Sequence, residues 1–520
     1  MRGLGNVALL LLLWASCCCW CLASKILFVA PIGTKSQVGF LGAIIEALAD
    51  RGHQVSFITS YSGPKHPNVT EINGNIRILE YMPNIFQNRN DAALRKLDYI
   101  IPGLCWDALQ QDTVRGLDLE DFDVIFLFAI RSGNDCFLLR LQNAKVPLIL
   151  VTPVQLDLFL HVAMGNVDFP SFVTALGQTE WHPMNFLQRV QNMAASVKIY
   201  LTIKWDFVPR IELICRELGE CRENATSLED VASRAAFVFV NSVRSLESPP
   251  RPYVPSVVHI GGVNCRPAQP LPQDLESWVA GAGDAGFIYM SLGTVVKSSD
   301  MPDNCRQSLL KVFSSLPQRV LWKWDTPSVE GLPPNVRVVQ WAPQQDILGH
   351  PKLRVFMTQG GVFSSTEATY HGVPVLGMPV FFDQITNVNR IVTEGWGEAV
   401  DWDHLTEEIL ADKIHRLIHN SSYRATAQKR SLLMKDQPMS PKDAVVYWTE
   451  YAIRHRGAPH LHSPARDMPW YTLYNVDVWA VAVMTVAVLL AALTKLLLAL
   501  AGFVRRLMQM MNNKTKLRQD

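Results

Sequence analysis

Twice along this 520-residue chain, apolar runs of strand length alternate with segments of helical length, and no other feature restricts the fold as much. The first series runs KILFVAP, a helix ending near Gly52, QVSFIT, FDVIFLF, VPLILV and AAFVFVN. The second runs GFIYMSLGT, a helix from about Pro302 to Leu316, RVLWKW, VRVVQW, LRVFMT, VPVLGMP and GEAVDW. Runs this apolar, without a polar face, suit strands covered on both sides, and helices between them supply the crossovers of a parallel sheet. A proline-rich stretch, SPPRPYVPS to CRPAQPLPQDL, and the segment AGAGDAG separate the two series and read as a linker. The expectation is an α/β chain of two doubly wound, Rossmann-like halves. In such sheets ligands sit beyond the carboxyl ends of the strands, and here in the cleft between the halves.

The two ends of the chain bear on where that fold resides. Residues 1–23 place one arginine ahead of a short apolar core and finish on Cys21-Leu22-Ala23, the pattern of a signal peptide cleaved near Ala23. Residues 476–504 are apolar for long enough to span a bilayer, interrupted mainly by Asp477 and Lys495. The tail 505–520 carries Arg505, Arg506, Lys514, Lys516 and Arg518, which places it in the cytosol. The first half (24–247), the linker (248–282) and the second half (283–475) then face the lumen. Asn68, Asn224 and Asn420 head N-x-Ser/Thr sequons that fit this topology. The compartment also permits disulfides among Cys105, Cys136, Cys215, Cys221, Cys265 and Cys305. Cys215 and Cys221 are near enough in sequence to bridge, while the others read equally well as buried thiols. With 48 basic and 47 acidic side chains the chain has no global field to attract a nucleic acid.

The stretch TQGGVFSSTEATYHGVPVLGMPVFFDQ, 358–384, concentrates ligand chemistry. Gly360 and Gly361 follow a strand and precede a helix expected from about Ser364, so backbone amides and the serine hydroxyl suit a phosphate. Glu367 suits ribose hydroxyls, and Asp383 with Gln384 closes the next strand-loop unit, where sugar hydroxyls fit. No G-x-G-x-x-G follows KILFVAP or GFIYMS, which argues against a dinucleotide-dependent dehydrogenase.

From Trp341 to Gln384, WAPQQDILGHPKLRVFMTQGGVFSSTEATYHGVPVLGMPVFFDQ resembles the donor signature of the UDP-glycosyltransferases, the group that includes the UDP-glucuronosyltransferases, at all 44 positions in spacing. SLGT before it and MSPKDAVVYWTEYAIRHRGAPH after it extend the likeness, as do the two apolar ends. The resemblance implies a GT-B fold, with acceptor binding in the first half and UDP-sugar binding in the second. It implies transfer of a hexosyl group, with inversion, to a small lipophilic acceptor, with UDP-sugar as co-substrate and neither a cofactor nor a metal. It also implies residence in the endoplasmic reticulum membrane through one C-terminal helix, and leaves room for homo- or hetero-oligomers with related transferases. On matching residues, Trp341 walls the uracil, Gln344 bonds near it, and Glu367 takes the ribose. Ser291, Gly293, Gln359, Gly361 and Ser364 cradle the diphosphate, and Asp383 and Gln384 hold the sugar. Gln359 replaces a histidine found in many members. Phe363 replaces a polar Asn or Gln, which removes one phosphate contact.

The family's reaction uses a histidine that deprotonates the acceptor and an aspartate that orients it. The histidine belongs sixteen positions before His53 of Arg51-Gly52-His53, where this chain has Gln37, and the aspartate belongs at Phe128 in FDVIFLFA. Glutamine accepts no proton near neutral pH, so both members of the dyad are absent. His161, His182, Asp135 and Asp157 lie in acceptor-side segments, and sequence does not rank them as substitutes. Two readings follow: a transferase with an altered base, and a catalytically impaired binder of UDP-sugar or of a lipophile on the same fold. Phe86, Trp106, Phe159 and Phe172 fall in the segment expected to line the acceptor cleft, although aromatics more often fill a core.

Overall fold

The computed structural model describes residues 23–516 except 75, 77–79, 81–83, 89–96, 130–133, 155, 157, 176–182 and 218–226. The chain divides into two separately compact units, Met1–Ser463 and Pro464–Asp520.

The first unit contains both sheets. The strands of the first are β1 (Lys25–Ala30), β2 (Gln54–Thr59), β3 (Val69–Asn73), β4 (Val124–Phe128), β5 (Leu148–Thr152), β6 (Phe237–Val240) and β7 (Val257–His259). They lie in the order β3-β2-β1-β4-β5-β6-β7, and every paired neighbour is parallel. The second sheet holds β8 (Phe287–Ser291), β9 (Arg319–Lys323), β10 (Val336–Val339), β11 (Leu353–Thr358), β12 (Val375–Gly377) and β13 (Gly397–Ala399). Its order is β10-β9-β8-β11-β12-β13, again parallel throughout. The chain is thus the expected α/β pair of doubly wound halves, and each apolar run singled out in the sequence forms a strand.

Burial explains why these runs lack a polar face. In β4 all five residues are buried; Val124, Phe126 and Phe128 enter one core cluster, and Ile125 and Leu127 enter the other. In β11, Val355 and Met357 face one core while Leu353 and Phe356 face the next. Each sheet therefore needs cover on both sides.

Seven helices matter below: α1 (Lys35–Asp50), α2 (Phe186–Thr202), α3 (Gln344–Leu348), α4 (Val362–His371), α5 (Asp383–Thr393), α6 (Pro441–Arg454) and α7 (Val476–Lys516). α6 departs from expectation. It falls within 283–475, the segment expected to form the second half, yet Val445 and Ala452 join the core of the first sheet, and the Trp448 and Tyr451 rings lie 5.1 and 6.2 Å from that of Phe237. The face of the first sheet beside α1 is apolar, and this late segment covers it. Conversely, Ile85 and Phe86 of the first half enter the second half's core, with the Phe86 ring 5.1 Å from Trp402. Phe86 is thus core filling, as is the buried Trp106.

The proline-rich stretch read as linker carries β7 and a helix, Gln273–Ala280. β7 completes the first sheet, and Leu275 and Val279 pack in the second half's core. Cys105 is disulfide-bonded to Cys136, and Cys265 and Cys305 are free thiols. Cys215 is also disulfide-bonded, but Cys221 lies outside the described residues, as do most of the signal segment (1–22), Asp157, His182 and Asn224.

In the second unit, α7 contains a stretch, Val476–Met511, that is long and apolar enough to cross a membrane, with a mean hydropathy of 2.4 over 18 residues within it.

Candidate functional site

The loops after β8, β11 and β12 and the start of α3 bring the donor-signature residues to the carboxyl edge of the second sheet. At the base of this group lies Glu367. Gln344, the first residue of α3, donates from Nε2 to Glu367 Oε2 at 2.7 Å and to Ser364 Oγ at 3.1 Å. Its Oε1 accepts from the buried Tyr289 hydroxyl at 3.3 Å, and Asn264 Nδ2 lies 3.5 Å from Glu367 Oε1. Burial pushes the Glu367 carboxyl up to about 7, against the pull of Gln344, Arg266 and Asn264. Near neutral pH this group is therefore divided between its protonated and carboxylate forms.

Trp341 is 68% exposed and walls an opening of about 650 Å³ whose opposite side includes Val38, Gly39 and Tyr61 of the first half. A flat aromatic face open to a cleft suits a planar ring. Lys323, at the end of β9, lies 5.2 Å from the centre of the Trp341 ring and donates to Gly293 O at 2.6 Å. Burial lowers the Lys323 pKa, and nearby Lys35 adds to that shift.

Between the β8 and β11 loops, Gln359 is wedged against two glycines. A Cβ on Gly293 would stand 2.2 Å from Gln359 Nε2, and one on Gly361 would stand 3.0 Å from it. Gly293 also holds φ 79°, which favours glycine on conformational grounds. Thr358 Oγ1 donates to Gln359 Oε1 at 2.9 Å, which fixes the amide with its NH2 group toward the glycines. α4 starts at Val362 rather than near Ser364, with Gly361 as N-cap, so its first-turn amides and positive dipole end lie at this edge.

Asp383 opens α5. Asn387 Nδ2 donates to Asp383 Oδ2 at 2.7 Å and to Gly360 O at 3.0 Å, tying the two loops together. Burial raises the Asp383 pKa, opposed by Asn387 and by the backbone amide of Val362. Phe382, just before it, holds φ 52° and ψ −132°, a conformation non-glycine residues rarely adopt. Asp383 and Asn387 line a cavity of about 340 Å³ whose other walls include Val154, His161 and Phe169 of the first half.

The site residues differ in what occupies their side chains. Trp341, Gln344, Gln359, Gly361, Ser364, Glu367 and Asp383 lie at the strand-end edge, with Gly293 in the neighbouring loop. Ser291 is fully buried, its Oγ 3.4 Å from the Gly293 amide, and so shapes its loop. Gln384 is buried as well, and its Oε1 accepts from Val380 N at 2.9 Å and Phe381 N at 3.2 Å. Phe363 packs on Phe40 of α1 with ring centres 5.2 Å apart, a contact from one half to the other that a polar residue would not make. Lys323, Asn264 and Asn387 escaped the sequence reading. Lys323 ends a strand, where the strand-end rule points, whereas single asparagines give no pattern.

At the dyad positions the side chains are committed elsewhere. Gln37 is the N3 residue of α1: its Oε1 accepts from Thr34 N at 2.8 Å, and Thr34 Oγ1 accepts from Gln37 N at 3.4 Å, a reciprocal capping box. Phe128 is fully buried in the cluster that includes Phe28, Phe126 and Phe239. Its carbonyl accepts from the buried Asn134, which also bonds Ile32 N and O across the β1 loop. Of the substitutes considered, His161 lines the cavity beside Asp383, with Nε2 3.2 Å from Val167 O. Asp135 is buried next to the disulfide at Cys136.

The family model for "UDP-glucoronosyl and UDP-glucosyl transferase" matches residues 78–511. UDP-glycosyltransferase UGT5 of Dactylopius coccus is 32% identical over 473 residues, covering 88% of each chain. The human 2-hydroxyacylsphingosine 1-beta-galactosyltransferase is 31% identical over 495 residues, covering 90% of this chain and 87% of its own. Among solved structures, a UDP-glucose:anthocyanidin 3-O-glucosyltransferase in complex with UDP superposes with a TM-score of 0.53 at 17% identity, covering 83% of this chain and 99% of its own. The calicheamicin glycosyltransferase CalG4 gives 0.53 at 16% identity, covering 84% and 100%. These likenesses identify the fold as GT-B, and with the family match over most of the length, the chain belongs to the UDP-glycosyltransferase family.

Proposed function

We propose that this protein transfers a hexosyl group from a UDP-sugar to a small lipophilic acceptor, with inversion, using a base other than the residue at position 37. The observation that carries this reading is the Gln344–Ser364–Glu367 network beside the exposed Trp341. It offers a carboxylate to ribose hydroxyls, an indole face to uracil, and the amides of Gly361 and the first turn of α4 to the diphosphate. Gln359 Nε2 adds a donor to that cradle. Asp383 receives the sugar, with Gln384 bracing its loop and Ser291 that of Gly293. Amides and a helix dipole meet the diphosphate charge, so the reading calls for no metal and no further cofactor. The cavity beside Asp383 has apolar walls from Val154, Leu156 and Phe169 that suit a lipophilic acceptor, and one relative's name specifies a sphingolipid substrate. His161, in that cavity, is the group to test as the altered base. The membrane-crossing length of α7 supports attachment to a membrane, and the basic tail after it supports a type I orientation; residence in the endoplasmic reticulum belongs to the same proposal.

A second reading, a catalytically impaired binder on the same fold, is favoured by one observation: Gln37 serves a helix cap and Phe128 a core, so neither retains a trace of the acid–base role. The deciding experiment incubates the purified full chain with UDP-glucose, UDP-glucuronate, UDP-galactose or UDP-N-acetylglucosamine and a panel of phenols and lipid alcohols. Sugar transfer abolished in His161→Ala, with UDP binding retained, supports the first reading. UDP binding with no product from any pair supports the second.

A further inference from the structure

Two ammonium groups meet at the opening that Trp341 walls. Lys35, the first residue of α1 in the first half, lines that opening. Lys323, at the end of β9 in the second half, lies 5.2 Å from the centre of the Trp341 ring and donates to Gly293 O. Lys35 stands near enough to add to the lowering of the Lys323 pKa, of which burial is the larger cause. Asp325 opposes that shift, but its carboxylate accepts from the Ser299 amide and hydroxyl. Among the described residues neither lysine forms an ion pair. Glu46, the acidic side chain lining the opening, lies about three turns, or about 16 Å, further along α1.

Both placements work against the fold. A helix start favours carboxylates, because its amides are free and the positive end of its dipole lies there, yet the first turn of α1 holds no acidic residue and opens on a lysine. Lys323 is desolvated beside a second cation. An anion held between the two offsets both costs, and local rules broken together at a cleft mark a binding role. The surroundings say which anion. Phe363, in the first turn of α4, touches Phe40 of α1 with ring centres 5.2 Å apart, so the start of α4 is held against the helix that carries Lys35. Lys323 is bonded to the Gly293 loop, against which Gln359 is wedged. The first-turn amides of α4 and Gln359 are the groups assigned above to the diphosphate of the donor.

We propose, resting on that donor reading, that Lys35 and Lys323 clamp the diphosphate from the two sides of the cleft, with Lys35 supplying a donor contact from the first half. In transfer, the acceptor oxygen bonds to C1 of the sugar, the bond from C1 to the diphosphate oxygen breaks with its electron pair left on that oxygen, and the acceptor's proton passes to the base in the cavity beside Asp383. The two ammonium groups meet the charge that develops on the departing UDP. They lower the barrier at the leaving group in a chain that lacks the family dyad.

The test titrates UDP into the full-length wild type, Lys35→Gln, Lys35→Arg and Lys442→Gln, the last removing a lysine of α6 that lines the same opening. Lys35 is exposed, so its replacement leaves the fold intact. UDP affinity is expected to fall about tenfold in Lys35→Gln and to stay within about threefold of the wild type in Lys35→Arg. The loss in Lys442→Gln should be smaller than that in Lys35→Gln, and high salt should narrow the gap between the wild type and Lys35→Gln. Wild-type UDP affinity in Lys35→Gln overturns the clamp. A loss that arginine fails to rescue makes Lys35 structural, and an equal loss in Lys442→Gln makes the effect one of the general field; either overturns it too. No UDP binding by the wild type is a different failure, that of the donor reading itself, and the clamp falls with it.

Discussion

The two halves share an architecture and use their strand ends differently. Beyond β8, β11 and β12, Gln344, Ser364, Glu367, Asp383 and Asn387 form bonds mainly among themselves and with neighbouring loop backbone. Burying Glu367 raises its pKa, a cost that a binding role explains. Beyond β1 and β4, the corresponding positions serve the fold: Gln37 caps a helix and Phe128 fills a core. A retained family fold therefore preserves each half for a different reason. On the proposed reading, the second half keeps a donor site, whereas positions 37 and 128 of the first half serve a helix start and a sheet core.

Four changes would break or sharpen this contrast. Phe128→Asp should have the largest effect, because it removes a fully buried ring and leaves a carboxylate among Phe28, Phe126 and Phe239. A loss of about 4 kcal/mol or more in denaturant-derived stability is expected. A loss below about 1 kcal/mol would mean that position 128 opens to the cleft, and the halves would be more alike than described.

Glu367→Ala should weaken UDP binding by about 1–3 kcal/mol while leaving the fold intact, since ribose hydroxyls lose a desolvated acceptor. Next in size is a pH effect. Glu367 accepts hydroxyl protons as a carboxylate, and its pKa lies at about 7 in the unliganded protein, so UDP binding should release a proton where the group starts protonated. Affinity should hold above pH 7 and fall about tenfold per unit well below it, a trend that Glu367→Gln abolishes. A flat wild-type profile from pH 6 to 8 would contradict this. The smallest effect is expected of Gln37→Ala, which breaks the capping box at a cost of about 0.5–1 kcal/mol in thermal or denaturant unfolding and leaves UDP affinity unchanged.

The sequence makes the sheet order's raw material plain, because β1, β4, β8 and β11 are apolar runs with no competing pattern. It hides β3, whose VTEIN has no fully buried residue and no alternation at a sheet edge, and β7, a short strand between prolines. α6 is legible as a helix but not as a cover for the other half, since that pairing depends on which sheet face lacks apolar cover. The donor residues are legible as a set, with two qualifications. Ser291 and Gln384 bond their own loops, a detail of side-chain direction that spacing does not encode. Phe363, read only as the loss of a polar group, contacts Phe40 across the halves. Asn134, which clamps the β1 and β4 loops, carried no signal because one buried asparagine has no periodicity.

The central claim, donor chemistry kept in one half and structural use of the dyad positions in the other, is tested most directly by calorimetric titration of UDP into the full-length wild type, Glu367→Ala and Gln37→Ala side by side. The account predicts binding to the wild type, unchanged binding to Gln37→Ala, and a loss of about 1–3 kcal/mol in Glu367→Ala. No binding to the wild type, or equal losses in both variants, would contradict it.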